Sequence, residues 1–163
     1  MNKTDFPSPG LRIYKTVLAA MISAFLGYIT GIHPFYTMIA AILCMQSSTE
    51  ASVKKGLSRL TGTAIGGVFA IFILLLIDFT PLDPFSAVYY LIISLCVLPL
   101  IYTNVLLNTQ DSAYITCVAF LSIVLSHFDT DNHYLFALQR MLETGAGVLI
   151  SLGVNVVIRK NDK

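Results

Sequence analysis

Two arginines stand inside stretches that are otherwise apolar. Arg59 opens RLTGTAIGG at 59–67 and Arg140 opens RMLETGAG at 140–147. Each is followed by a threonine, Thr63 or Thr144, and then by a glycine, Gly66 or Gly147, at the same spacing. On a helix that spacing puts guanidinium, hydroxyl and glycine on one face. A guanidinium stays charged and meets a carboxylate through two parallel hydrogen bonds, so the chemistry on offer is anion recognition. Glu143 lies on the same face as Arg140, either as a proton-carrying group or as a structural counter-ion that lets the arginine enter the span. Arg59 has a plainer reading too, snorkelling to an interface beside Lys54 and Lys55. Gln46 and the two threonines are polar groups placed to line a path, or to bond within their own helices.

The elements that position these residues are set by composition. Hydrophobic residues make up 56% of the 163-residue chain and charged residues 12%, against roughly 45–50% and about 25% in soluble domains. The apolar residues form long blocks rather than amphipathic stripes, as expected of helices in a bilayer. Six spans are predicted, at 11–30, 34–46, 53–77, 85–107, 112–127 and 134–158, in a single all-α transmembrane domain over 1–163. The second and fifth are short for a hydrocarbon core of about 30 Å, so they are expected to be broken or buried among the others. The breaks GIHP, SSTE, DFTPLDP, NTQD and HFDTDNH carry turn or polar chemistry.

With the N-terminus inside, one face of the membrane receives Lys3, Arg12, Lys15, Lys54, Lys55, Arg59, Arg159, Lys160 and Lys163, leaving Arg140 outside. That bias predicts both termini in the cytoplasm of a multi-pass cell-membrane protein. A cleaved signal peptide is disfavoured, because the leader MNKTDFPSPG is polar and the first apolar run is followed by five more.

Arg59 and Arg140 stand 81 residues apart, and the same offset lays Leu57 on Leu138 and the third span on the sixth. A repeat of three spans places its second copy upside down, so a 3+3 inverted repeat is expected, with one arginine toward each side of the membrane. Gly62 with Gly66, Gly27 with Gly31, and Gly147 with Ser151 each set small residues one turn apart, which predicts close helix packing.

Other chemistry is thinly supported. HFDTDNH alternates His127, Asp129, Asp131 and His133, but it lacks the glycine and glutamate of a calcium loop, so a solvated turn is expected and no metal. Cys44, Cys96 and Cys117 all fall in apolar spans with no C-x-x-C spacing, and read as packing residues. No nucleophile elbow, zinc-helix motif or phosphate loop occurs, so neither an enzyme nor a cofactor is expected. The net charge of +1 offers nothing to nucleic acid.

The segment PFYTMIAAILCMQSSTEASVKKGLSRLTGTAIGG resembles the second and third spans of the aromatic acid exporter family, the fusaric-acid-resistance-like membrane proteins. There a short apolar span leads to a polar, basic segment, and R-x-x-G-T-x-x-G opens the next span; here those positions are Arg59, Gly62, Thr63 and Gly66. The resemblance implies export of organic anions, often aromatic carboxylates, driven by the proton gradient. Similar plant malate channels leave a passive anion channel, or a non-transporting membrane subunit, as alternatives. Longer members duplicate the membrane unit or add a cytosolic domain, so a homodimer is the expected way for this chain to complete the unit.

Overall fold

The structure is a computed structural model that describes residues 10–79, 86–126 and 133–158. Lys3, Asp83, the cations at 159–163 and the histidine and aspartates at 127–131 lie outside the described residues, as does the side chain of His133. The described chain is all helical: α1 (Leu11–Thr30), α2 (Phe35–Cys44), α3 (Thr49–Asp78), α4 (Ala87–Leu106), a 3₁₀ turn (Gln110–Ser112), α5 (Ala113–Leu125) and α6 (His133–Val157). Four of these, α1, α3, α4 and α6, are long and apolar enough to cross a membrane, whereas α2 and the segment 110–125 are apolar but shorter.

Local chemistry sets the ends. Gly31 closes α1 in the left-handed region at φ +69°, where a side chain would be strained. The glycine expected to pack helices is therefore a turn residue. Gly27 likewise approaches its own following turn, with a Cβ there meeting Pro34 at 2.6 Å. Ser48 caps α3 by accepting from the Ala51 N–H at 3.2 Å. Its capping starts the helix before the apolar run expected from 53. In the same way Ser86 caps α4 through the Tyr89 N–H at 3.2 Å.

α3 is the central element, packed against α5 on one side and α6 on the other, while α2 packs on α6. α1 lies outside α2 and α6, and α4 lies outside α5. A Cβ on Gly56 would meet Val148 at 2.7 Å, one on Gly145 would meet Leu60 at 3.9 Å, and one on Gly67 would meet Met141 at 3.1 Å. Rising numbers on α3 thus meet falling numbers on α6, and the two helices run antiparallel. Closer approaches occur where backbone touches backbone. Gly66 lies against the Thr116 carbonyl and Ala119 of α5, and Gly147 lies against the Thr37 carbonyl and Ala40 of α2.

The ten residues of α2 rise only about 15 Å, half a hydrocarbon core. Extended backbone completes the return, and its polar groups find partners from three helices. Met45 O accepts from Arg12 Nε at 3.2 Å, and Gln46 N donates to Ser52 Oγ at 3.0 Å. Asn155 Nδ2 donates to Gln46 O at 3.2 Å, Ser48 O at 3.1 Å and Ser52 Oγ at 2.8 Å. Lys15 Nζ closes the cluster on Asn155 Oδ1 at 2.8 Å. Buried non-helical backbone requires such protein partners, which accounts for a lysine, an asparagine and a serine that are all buried. The start of α1, the α2–α3 turn and the end of α6 therefore meet at one end of the bundle.

The interior is apolar around Leu74, Tyr89, Ile93, Leu100, Phe120 and Ile123. The outside is apolar as well: Phe25 is 64% exposed, Leu98 72% and Leu149 70%. Exposed apolar surface on this scale marks a lipid-facing protein, and the chain is a multi-pass helical membrane protein.

Candidate functional site

The site is built on the faces of α3 and α6 that turn away from lipid. Arg59 is 9% exposed and Arg140 6% exposed, and each lies within electrostatic reach of the other. Arg59 sits nearly three turns into α3, deeper than the sequence implied, because α3 begins at Thr49. Cys44 of α2 and Tyr114 of α5 are within its electrostatic reach, and its Nε has no hydrogen-bond partner.

Arg140 stacks on an aromatic ring, its guanidinium carbon 3.8 Å from the centroid of Tyr36 at the start of α2. Stacking of this kind holds the plane of the cation while leaving its edge free to donate. Both Nε and Nη1 lack hydrogen-bond partners. Glu143 is 9% exposed; its Oε1 accepts from Gln139 Nε2 at 2.8 Å, and Oε2 has no partner. The hydrogen-bonding edge of the acid is thus turned to Gln139, and neither free donor of Arg140 bonds to it. A buried cation leaving donors unused, near a buried acid with an oxygen unused, is expensive unless a partner supplies the missing hydrogen bonds.

The other expected residues divide. Thr144 is buried and returns its hydroxyl to the Arg140 carbonyl at 2.9 Å, inside its own helix. Thr63 is buried on the central face of α3. Gln46 bonds its side-chain nitrogen to Leu43 O at 3.2 Å and lines a recess beside Lys54 and Lys55. A Cβ on Gly62 would meet the Ser112 carbonyl at 2.8 Å, so with Gly66 it lets α5 approach α3 closely.

Sequence reasoning missed three interior polar residues, Lys15, Ser52 and Asn155, which share one network. Their only sequence signal was a polar residue within about a turn of a helix end, which for Lys15 was absorbed into the topology bias. Asn104 is fully buried, and its Oδ1 accepts from Thr116 at 3.1 Å and Thr109 at 3.2 Å and so ties α4 to α5.

A lipid-facing helical bundle with two arginines buried in its interior defines the class as a multi-pass helical membrane protein. The family model described as aromatic acid exporter family member 1 matches residues 8–158, and the chain belongs to that family. It is similar to a UPF0421 protein of Oceanobacillus iheyensis, 27% identical over 94% of this chain and 41% of the relative. A UPF0421 protein of Halalkalibacterium halodurans is 28% identical over 93% of this chain and 40% of its own length. One of Staphylococcus haemolyticus is 32% identical over 91% and 42%. The chain thus spans about two fifths of the curated relatives it matches. No solved structure matches it.

Proposed function

We propose that this chain is the membrane unit of an exporter of organic, chiefly aromatic, carboxylate anions at the cell membrane, driven by the proton gradient. The observation that carries this reading is Arg140, buried, with its guanidinium carbon over the Tyr36 ring and two donors without partners. An arriving carboxylate would take up those donors, and Arg59 within electrostatic reach adds a second positive charge. Glu143 is proposed as the proton-coupling group, gaining or losing a proton at its unpartnered Oε2 in the course of the transport cycle.

The proposed architecture is a 3+3 inverted repeat with both termini in the cytoplasm. Its support is that α3 and α6 cross antiparallel, and that each carries its glycine against the short helix of the other half. Broken short helices meeting near a shared interior are where transporters of inverted-repeat design bind substrate. A homodimer is proposed to complete the unit.

The test is flux of radiolabelled benzoate from proteoliposomes with and without an imposed pH gradient. Saturable, gradient-accelerated flux that Arg140→Ala abolishes supports the exporter. Flux indifferent to the gradient identifies a passive anion channel, and no flux of any organic anion identifies a non-transporting subunit.

A further inference from the structure

A recess of about 500 Å³ opens between the α2–α3 turn, the first turns of α3 and the 3₁₀ turn into α5. Lys54, Lys55, Tyr114, Asp111, Gln46 and Ser58 line it, so two ammonium groups share the space with one carboxylate. Lys55 Nζ stands 5.1 Å from the centroid of the Tyr114 ring, and that ring is 50% exposed. The wall below is tied together: Ser58 Oγ donates to the Asp111 carbonyl and is bonded to Ser112 Oγ, both at 3.1 Å, and Ser112 Oγ bonds Thr61 Oγ1 at 3.1 Å. Next to Ser58 in α3 is Arg59, buried, with Nε unpartnered and Tyr114 within electrostatic reach.

We infer that this recess is the capture site where an anion docks before it reaches Arg59, and that it takes a planar aromatic carboxylate. The chemistry is divided between two kinds of group. Lys54 and Lys55 attract the carboxylate, while Tyr114 offers a ring edge and face for stacking, polarised by the lysine beside it. A small aliphatic acid gains the charge contact and loses the stacking. An uncharged aromatic gains the stacking and loses the charge. Asp111 repels a second negative charge, so monoanions are preferred over dianions. This inference rests on the transport reading for its purpose, but it specifies a separate place and separate residues from the Arg140 site.

The chain contains no tryptophan, so Tyr114→Trp introduces a single fluorescent reporter into the recess. In the detergent-solubilised full chain, titration with 4-nitrobenzoate is expected to give saturable quenching, whereas nitrobenzene gives only linear, collisional quenching. Adding Lys55→Met to the reporter is expected to raise Kd about fivefold, the order expected of one partly exposed cation contact. In proteoliposomes, Lys55→Met and Tyr114→Ala are expected to raise KM for benzoate and leave kcat in place. Linear quenching by 4-nitrobenzoate, or a Kd unchanged by Lys55→Met, would overturn the capture site even if flux is normal. Saturable quenching in a chain that moves no anion would keep the capture site and overturn the exporter reading instead.

Discussion

At the scale of single residues, the account turns on what Arg140 and Glu143 do with the polar atoms they leave open. Lysine at position 140 keeps the charge but not the plane that lies 3.8 Å over Tyr36. Arg140→Lys is expected to lower benzoate flux by about tenfold, while a charge-only role would leave it nearly intact. Glu143→Gln preserves size and can still bond Gln139, but cannot take up or release a proton. It is expected to move benzoate down the anion's own gradient and to lose acceleration by an inward proton gradient, read as the ratio of fluxes with and without that gradient. Arg59, Arg140, Thr63, Thr144 and Glu143 all stand out in the sequence, because each is a charge or hydroxyl inside an apolar run. The direction of Glu143 was not visible. Its spacing from Arg140 suggested a pair, and the nearer hydrogen-bonding partner proved to be Gln139.

At the scale of elements, two devices hold the faces together. Close approach is the first. Gly66 has the Thr116 carbonyl and Ala119 against it, so Gly66→Ala must push α5 from α3, at a cost of about 2 kcal/mol or more. Gly153 has open space where an added methyl group would sit, with nothing within 4 Å, so Gly153→Ala is expected to be neutral or slightly stabilising, by up to about 1 kcal/mol. Thermal unfolding in detergent separates the two. The second device is the polar cluster under the broken return of α2. Asn155→Leu leaves Lys15 without its 2.8 Å acceptor and frees the carbonyls of Gln46 and Ser48, a loss of about 3 kcal/mol. Because the two residues act together, Lys15→Met in the same chain is expected to recover part of that loss, which additive behaviour would not give. Helix positions were legible from the apolar blocks, and all the expected spans contain helix. What escaped was the partnering of Asn155 across more than a hundred residues of sequence, since nothing local to an asparagine names the backbone it will serve.

At the scale of the whole molecule, the bundle is apolar over much of its outside and buries four charged residues, Lys15, Arg59, Arg140 and Glu143, a distribution unlike that of a soluble domain. Family membership and lipid-facing surface agree on a multi-pass membrane protein. Orientation is testable by labelling. The α2–α3 turn is expected on the cytoplasmic side, and Phe79, 86% exposed at the end of α3, on the other. With the three native cysteines replaced by serine, Lys54→Cys should react with a membrane-impermeant maleimide only in inside-out vesicles, and Phe79→Cys only in right-side-out ones. The most direct measurement for the central claim is benzoate flux from proteoliposomes under an imposed pH gradient, comparing wild type with Arg140→Ala and Glu143→Gln. The account predicts gradient-accelerated flux in wild type, none with Arg140→Ala, and flux without acceleration with Glu143→Gln. Equal, gradient-accelerated flux in all three would contradict it, and would return the buried arginine and glutamate to a purely structural role.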